Sequence, residues 1–341
     1  MTKLHDVAEL AGVSPSTVSR AINRPEMVDE ETRDRVLEAV RRLDYRPSRV
    51  ARRLRVERGS SGLLGLVIPD LQNPFFADLA RGVEDAAQRH GYTVLIGNAD
   101  EDLDKERRYL EVMRAESVDG VILPPVTETD PAAAELVGSG MPVVCVDRRL
   151  ARTRVDTVVV DNVRGAYEAT EHLVRLGHTR IGFIEGRPQA STSRERLEGY
   201  RAALADQGIP ADPALVRAGD SRQESGRRLA RELLAEPDRP TALLVGNGVM
   251  TLGSLETLHR EGVRIPSEMA VVGYDDMPWA QALTPPLTVV RQPGYELGSR
   301  ALELLLQRIA EPGRSTTVVL LQPELVVRES CGGGSAGESV G

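Results

Sequence analysis

Apolar residues in the first 45 positions recur at the spacing of amphipathic helices. The spacing predicts helices over 4–11, 15–23 and about 30–44. Gly12 can end the first helix because glycine adopts left-handed backbone conformations at little cost, and Ser14 offers an N-cap oxygen to the second. Three short helices joined in this way predict a helix-turn-helix. Its expected core consists of Leu4, Val7, Ala8, Ala11, Val18, Ala21, Ile22, Val36, Val40 and Leu43.

A short basic segment separates this head from the rest of the chain. Residues 48–56, SRVARRLRV, are compatible with a helix, but nine residues are too few for a helix that is stable alone in water. The residues that follow, ERGSSG, have the composition of a flexible linker. We therefore assign residues 1–46 to the helix-turn-helix head and residues 47–61 to a linking segment.

From residue 63 onward, short apolar runs alternate with amphipathic segments, which predicts doubly wound parallel sheets. The alternation restarts after TVVVD at 157–161, so we expect two similar α/β lobes over 62–329. Ligands of such folds bind at the carboxyl ends of the strands, and the cleft between the lobes is therefore the expected ligand site. The predicted helices span 75–90, 103–115, 131–138, 163–176, 194–207, 223–235, 249–261 and 295–310, with a strand pair at 316–328.

Composition narrows the class of protein. Aromatic residues make up only 3% of the chain, so the core is expected to be aliphatic, and no apolar run reaches the ~18–20 residues of a membrane span. The N-terminus lacks the apolar stretch of a signal peptide, and two cysteines make no disulfide framework. We expect a cytoplasmic protein with a buried thiol at Cys145, and a disordered Gly/Ser-rich tail over 330–341.

The charge is unevenly distributed along the chain. The net charge is −8, yet residues 1–60 hold thirteen Arg and Lys against ten Asp and Glu, and residues 41–58 alone hold eight arginines. A basic head on an acidic body indicates that the head is the part that meets a polyanion.

Enzyme motifs are missing from the sequence. The turn after the first predicted strand, PDLQNP at 69–74, is not GxGxxG, and there is no P-loop. The five histidines show neither HExxH nor Cys/His metal spacing, and no nucleophile elbow occurs. We therefore expect no catalysis, no cofactor and no metal. A secreted sugar-binding protein is a further alternative, against which the head and the missing signal peptide argue.

The motifs of head and body together resemble the LacI/GalR family of bacterial regulators, over about residues 2–328. The resemblance implies a homodimer whose two heads read the half-sites of a palindromic operator. It also implies a body like the type I periplasmic binding proteins, which holds a small-molecule effector between its lobes. The matching stretches are LHDVA at 4–8, AGVS at 11–14, TVSR at 17–20, YRPS at 45–48, NPFF at 73–76, HGY at 90–92, VDG at 118–120, LGH at 176–178, GYDD at 273–276 and PPLT at 285–288.

In a helix-turn-helix, the N-terminal part of the second helix enters the major groove. Arg20 can give a bidentate hydrogen bond to guanine O6 and N7, whereas Pro15 offers only apolar contact. Ser16 can hydrogen-bond to several bases, whereas Thr17, Ser19 and Asn23 suit phosphate contacts, with ordinary solvated helix positions as the alternative for Thr17 and Ser19. The expected contacts in the head are Pro15, Ser16, Thr17, Ser19, Arg20 and Asn23.

Residues 48–56 match the family's hinge helix, which folds on DNA. By this resemblance Leu54 would insert into the minor groove beside its copy from the second subunit and kink the duplex. Arg55 would follow the minor groove, and Arg52 or its neighbour would reach phosphates. The alternative is that Leu54 packs on the body.

The resemblance also places the effector site. Two aspartates can each accept hydrogen bonds from vicinal hydroxyl groups, and an arginine can donate two parallel hydrogen bonds. An aromatic ring offers a flat face on which a sugar ring or a base can pack. The alternatives are that the aromatic rings are core residues, that Asp275 is a helix cap, and that neighbouring arginines neutralise Asp147. The residues at the family's cleft positions are Phe75, Phe76, Asp147, Thr192, Arg196, Asn247 and Asp275.

Three departures from the family bear on the effector. Gly248 stands where many members have an aspartate, which removes an acceptor. Ala190 and Ser221 stand where the purine repressor has an arginine and an aromatic ring, which favours a sugar or polyol over a purine base. Whether the effector releases or promotes DNA binding, and whether the assembly is a dimer or a tetramer, stays open at this stage.

Overall fold

A computed structural model of the chain describes residues 4–23, 25–45 and 60–333. Of Asn23 it describes the backbone only. The chain divides into two compact units, Met1–Ser61, which includes the helix-turn-helix head, and Gly62–Gly341, which we call the body.

The head contains the three predicted helices. Helix α1 spans Leu4–Ala11, α2 spans Pro15–Asn23 and α3 spans Glu30–Arg42. Gly12 takes the left-handed conformation in the turn between the first two helices, with φ +67°. Ser14 Oγ accepts a hydrogen bond from the Thr17 amide at 3.1 Å and so caps α2. The predicted apolar residues form one core, together with Ala39 and Tyr45, which the sequence interpretation omitted.

The first lobe of the body is built on a six-stranded parallel sheet. Its strand order is β11-β5-β4-β3-β1-β2. Helices α4 and α11 pack on one face of this sheet, and α5 and α6 pack on the other. The elements are β1 (Leu63–Ile68), α4 (Pro74–Arg89), β2 (Thr93–Asn98), α5 (Leu103–Ala115), β3 (Gly120–Leu123), α6 (Pro131–Gly138), β4 (Val143–Val146), β5 (Asp156–Val160), α11 (Gly294–Ala310) and β11 (Val318–Leu321).

The second lobe repeats this plan with the order β12-β10-β9-β8-β6-β7. All its neighbouring strands are parallel except β12, which runs antiparallel to β10. Helices α7 and α8 cover one face, and α9 and α10 cover the other. The elements are α7 (Asn162–Arg175), β6 (Ile181–Glu185), α8 (Ser191–Asp206), β7 (Val216–Ala218), α9 (Gln223–Leu234), β8 (Ala242–Val245), α10 (Gly248–Arg260), β9 (Ala270–Tyr274), β10 (Thr288–Arg291) and β12 (Glu324–Val326).

Three chain segments connect the lobes, after β5, after β10 and after β11. The predicted strand pair at 316–328 is therefore wrong as a pair, because β11 joins the first sheet and β12 the second. Cores on both faces of each sheet confirm the doubly wound α/β body. In the part of the chain that the structure describes, no helix combines the length and apolar character of a membrane span.

The body extends beyond the predicted boundary at residue 329. Ser330 Oγ donates to the Val271 carbonyl at 2.6 Å and accepts from the Thr288 amide at 2.8 Å. The Cys331 side chain is buried against His172 and Thr288. Placing residues 330–333 in a disordered tail was wrong, because these contacts fix the segment to the second sheet. The rest of that predicted tail lies outside the described residues.

Candidate functional site

The carboxyl ends of the strands of both lobes enclose a small cavity of about 30 Å³. All seven cleft residues expected from the sequence line it, and each is buried. The cavity also has lining residues that the sequence interpretation did not select, among them Asp70, Asn73, Glu101, Arg148 and Gln292. A volume this small corresponds to a few water molecules.

Asp147 and Asp275 occupy equivalent places in the two lobes. Each follows the fourth strand of its sheet, and each has a left-handed backbone, with φ +64° and +67°. Their amides donate to the carbonyls of Val158 and Val290, both at 2.9 Å, on the next strand. Positive φ is uncommon outside glycine, and Asp tolerates it better than most residues. The lobe repeat therefore brings one carboxylate from each side to the same cavity.

The Asp275 carboxylate caps a neighbouring helix as well as lining the cavity. One oxygen accepts from the Gly248 amide at 3.1 Å, at the start of α10. The other accepts from Gln292 Nε2 at 2.6 Å. The capping alternative is thus correct as a description of its contacts, yet each oxygen retains a lone pair for a further donor.

Arg196 is held rigidly on α8. Its guanidinium donates to Asn162 Oδ1 at 2.8 Å, to the Gly246 carbonyl at 2.6 Å and to Gln292 Oε1 at 3.1 Å. It also lies 3.9 Å from the centre of the Tyr274 ring. Since a guanidinium has five N–H donors, two are left for a group inside the cavity. A guanidinium group fixed in this way can donate to a ligand without a change in its own conformation.

A buried ion pair joins Glu101 and Arg148 at the edge of the cavity. The two terminal nitrogens of Arg148 donate to the two Glu101 oxygens at 2.9 and 2.6 Å. The side chains are only 5% and 6% exposed. Arg148 Nε is 3.6 Å from Asp147, so the expected neutralisation of Asp147 by Arg148 is secondary to this pair. Arg149, the other candidate neighbour, pairs with Glu195 instead at 3.3 Å.

Burial raises the pKa of Asp147 to about 6, although Arg148 and Arg196 act in the opposite direction. Among the described residues, nothing donates a hydrogen bond to its carboxylate. Asp147 therefore places in the cavity a buried carboxylate that can still accept hydrogen bonds.

We expect Asp147→Asn to change how stability depends on pH. Because the folded-state pKa of Asp147 is raised, its contribution to stability is present below about pH 4 and is lost as pH rises through about 6. The free energy of unfolding of the variant, relative to wild type, should therefore rise by up to about 3 kcal/mol between acidic and neutral pH. Urea denaturation at several pH values measures the difference.

Asp276→Asn is the matched control for this measurement. Burial raises the Asp276 pKa, but hydrogen bonds from Arg328 and Arg291 outweigh it and lower the pKa overall. Its relative stability should change in the opposite direction with pH. The same pH dependence in both variants would contradict the assignment to Asp147.

Phe75 and Phe76 belong to the core of the first lobe and also line the cavity. Their rings meet edge to face, with centroids 5.1 Å apart. Asn73 Oδ1 accepts from the Phe75 amide at 3.1 Å and starts α4 at this point. Asn247 has a similar double role, because Oδ1 caps α10 at the Met250 amide and Nδ2 donates to the Ser221 carbonyl. Thr192 lines the cavity from the first turn of α8.

In the head, Pro15, Ser16 and Arg20 lie on the exposed face of α2. Thr17 and Ser19 are half-buried, and the Thr17 hydroxyl lies 2.9 Å from Ser14 Oγ. Val18, between them, is buried in the core. The structure thus exposes the three residues expected to face bases. The side chain of Asn23 and the hinge residues Arg52, Leu54 and Arg55 lie outside the described residues.

Two protein-family models match the chain. Residues 3–48 match the model described as "Bacterial regulatory proteins, lacI family". Residues 61–329 match "Periplasmic binding proteins and sugar binding domain of LacI family". The two matches coincide with the head and the body.

Individual proteins match over almost the whole chain. The HTH-type transcriptional repressor PurR of Photobacterium profundum is 36% identical over 332 residues, which cover 97% of this chain and 98% of that one. The ribose operon repressor of Halalkalibacterium halodurans is 36% identical over 339 residues, covering 99% and 100%. The solved structure of the lac repressor dimer bound to operator and the anti-inducer ONPF has a TM-score of 0.84 and 30% identity, covering 97% and 99%.

Proposed function

This chain belongs to the LacI family of bacterial regulatory proteins and is a DNA-binding transcriptional repressor with an effector-binding body; we propose that its effector is a neutral, hydroxyl-rich sugar. The relatives are repressors, which places the chain among regulators and not among enzymes. The observation that carries the effector proposal is the pair of aspartates, one from each lobe, that line one cavity with Arg196.

Charge in the cavity supports an uncharged ligand. Four carboxylates line it against two guanidinium groups, and the Arg148 guanidinium is already committed to Glu101. A phosphate or carboxylate on the effector would bring like charges together in a buried space, which is costly. Hydroxyl groups can donate to the aspartates and accept from the arginine, so a polyhydroxylated ligand satisfies both kinds of group.

A purine base is the second candidate, because PurR is among the relatives and Phe75 and Phe76 offer flat apolar faces. The positions that differ from the purine repressor favour the sugar. Ser221 lines the cavity with a hydroxyl, and Ala190 is a buried residue before α8 with no donor on its side chain. The ribose operon repressor among the relatives is named for a sugar system.

For the DNA-binding half, we propose a homodimer on a palindromic operator, acting in the cytoplasm. Residues 1–46 would be the reading head and 47–61 the hinge helix and linker. Pro15, Ser16 and Arg20 would face base edges, with Thr17, Ser19 and Asn23 at phosphates. In the hinge, Leu54 would be the wedge in the minor groove, Arg55 would follow that groove, and Arg52 would reach phosphates.

Arg20→Ala should relax base specificity at one position of each half-site. If its guanidinium reads guanine O6 and N7, loss of the fork costs about 1–3 kcal/mol for the preferred base pair. Binding to a panel of operators with single substitutions measures this by fluorescence anisotropy. Equal weakening on all sequences would mean that Arg20 contacts only phosphate.

The whole proposal is tested by operator binding with and without sugars. The DNA upstream of the gene serves as the probe, and a panel of sugars, nucleobases and sugar phosphates is screened first by thermal shift, because ligand binding raises stability by mass action. We expect a neutral sugar both to raise the melting temperature and to change operator affinity. A response to a base or a sugar phosphate alone would contradict the proposed effector.

A further inference from the structure

The Arg196 guanidinium contacts two of the three segments that connect the lobes. Asn162 is the first residue of α7, directly after the crossing from β5, and its Oδ1 accepts from Arg196 Nε at 2.8 Å. Gln292 follows β10 in a second crossing, and its Oε1 accepts from Arg196 Nη2 at 3.1 Å. Rotation of one lobe against the other is absorbed by the backbone of such crossings. The contacts of Arg196 therefore depend on how the lobes are arranged.

Asn162 joins the first sheet to the helix that carries Arg196. Among the described residues, those that line the cavity include Gln292 but not Asn162, which is 1% exposed. The Asn162 amide nitrogen donates to the Val160 carbonyl at 3.2 Å and to Glu195 Oε2 at 3.0 Å. Val160 ends β5 of the first sheet, whereas Glu195 belongs to α8 of the second lobe. The connection is thus made outside the cavity in which a ligand would bind.

Glu195 extends this connection back to the first lobe. Its other oxygen, Oε1, accepts from Arg149 Nε at 3.3 Å, and Arg149 follows β4 of the first sheet. The side chains of Arg149, Glu195, Asn162 and Arg196 therefore form one continuous series of hydrogen bonds, which we call the relay. Within the relay, Asn162 both donates to a carboxylate and accepts from a guanidinium, so it fixes the order of donors and acceptors.

The rims of the two lobes also touch through backbone amides. The Glu128 amide of the first lobe donates to the Gln189 carbonyl of the second at 3.2 Å. The Arg149 amide donates to Ser191 Oγ, at the start of α8, at 3.1 Å. Both hydrogen bonds join one lobe to the other, so both are lost when the lobes separate. Protection of these two rim amides from hydrogen exchange consequently reports the lobe arrangement.

From these contacts we infer that Asn162 is a positioning residue, which acts through Arg196 and makes the orientation of that guanidinium depend on the arrangement of the lobes. The coupling is reciprocal. A ligand that binds Arg196 favours the arrangement in which the relay is complete, and this arrangement favours the ligand. Asn162 itself touches no ligand. The inference deepens the proposed function and rests on it, because Arg196 belongs to the proposed effector site.

Hydrogen exchange of the full-length protein, measured by mass spectrometry without DNA or ligand, tests the relay. Asn162→Asp removes the donor to Glu195 and places a second carboxylate opposite it. The measurement is made at about pH 8, above the ordinary pKa range of carboxyl groups. We expect the peptides that contain the Glu128 and Arg149 amides to lose protection about tenfold or more, which corresponds to about 1.4 kcal/mol.

Three further variants make this result specific. Asn162→Asp combined with Glu195→Gln, the swap variant, reverses donor and acceptor while shape and net charge stay the same. It should restore protection to within about threefold of the wild type. Asn162→Ala should lose protection like Asn162→Asp, and Glu195→Gln should not rescue it. Asp161→Ala is the control, because it removes the cap of the same helix and leaves the relay residues in place. Its rim amides should stay as protected as those of the wild type.

The amides of Ala99 and Gly246 give an internal reference. Each donates at 2.8 Å within a single lobe, to Ile68 and to Ile184, so their protection should be the same in every variant. If Asn162→Asp and Asn162→Ala both keep the protection of the rim amides, or if the swap variant folds and does not restore it, the inference is wrong. Equal loss at the reference amides would mean that Asn162 supports only the fold, which would overturn the inference as well.

Operator binding separates this inference from the proposed function. Asn162→Asp should change the affinity for the DNA upstream of the gene by about fivefold or more, the lower end of typical allosteric coupling, and the swap variant should reverse the change. Fluorescence anisotropy without ligand measures both. A wild type that does not bind this DNA would contradict the proposed function and leave the exchange result standing. A changed affinity without a change in rim protection would show that Asn162 acts by another route, and the inference would fail.

Discussion

Replacing Arg148 by methionine is expected to lower the free energy of unfolding of the body by about 3–5 kcal/mol, because it leaves a buried carboxylate without its partner. Among the described residues, the cation that Glu101 would keep is Arg187, whose Nε is 3.7 Å away. The Glu101 side chain is 5% exposed, so bulk solvent compensates poorly for the lost donors. Urea denaturation of the full-length protein at neutral pH measures the change.

A double substitution separates the effect of charge pairing on stability from the effect of side-chain packing. Glu101→Leu combined with Arg148→Met removes both charges, and replacing a buried pair by apolar groups is often neutral or better, so the double variant should recover most of the loss. Arg228→Met is the control, since its pair with Glu232 is exposed and should be worth less than about 1 kcal/mol. If Arg148→Met lowers the free energy of unfolding no more than Arg228→Met does, water reaches the cavity and the Glu101–Arg148 pair does not stabilise the first lobe.

The head and most elements of the body could be predicted because their signals are local. Helix α5 and helix α6 begin and end where the sequence places them, since each starts at a capping aspartate and has a regular apolar face. Helix α8 begins at Ser191, three residues before its predicted start, because Ala190 gives no side-chain cap to mark the boundary. Strand β7 was missed because its three residues are too few to show alternation, and the four residues of β10 were missed as well.

Only some of the residues of the candidate site could be predicted from the sequence. The resemblance placed seven residues, and all of them line the cavity. The Glu101–Arg148 pair was not found because its partners are 47 positions apart, and only the parallel order of β1 to β4 brings the two loops together. Gln292 was missed for a similar reason. It follows β10 in a crossing between the lobes, where no local pattern distinguishes a lining residue from a connector.

The lobe repeat explains why the two aspartates differ in chemistry although their backbones match. Asp275 accepts from Gly248 and Gln292, so its charge is supported by two donors. Asp147 lies beside Arg148, which is paired with Glu101, and burial raises the pKa of Asp147 to about 6. One aspartate is thus a preorganised acceptor, and the other gains most from a ligand. A ligand that donates to both would hold the lobes closed together.

Asp275→Ala is expected to abolish the response of operator binding to the effector. Closing the lobes around a ligand couples the cleft to the DNA-binding half only if the ligand prefers one lobe arrangement, and such coupling is typically about 1–3 kcal/mol, or 5–150-fold in affinity. Removal of the Asp275 carboxylate takes away a charged acceptor that the second lobe contributes to the cavity and frees Gln292 from its 2.6 Å hydrogen bond. If the effector is an inducer, DNA affinity without ligand should stay within a few-fold of wild type. If it is a corepressor, tight operator binding should be lost.

The control must separate ligand contact from helix capping, since Asp275 does both. Asp161→Ala removes a carboxylate that caps α7 in the same lobe, at the Arg164 amide, and does not line the cavity. It should cost about 1 kcal/mol of stability, as caps usually do, and leave the effector response intact. Fluorescence anisotropy on operator DNA with and without ligand gives the response of both variants. If Asp275→Ala loses stability like Asp161→Ala but still responds to the effector as the wild type does, Asp275 is a structural cap and another group of the second lobe binds the ligand.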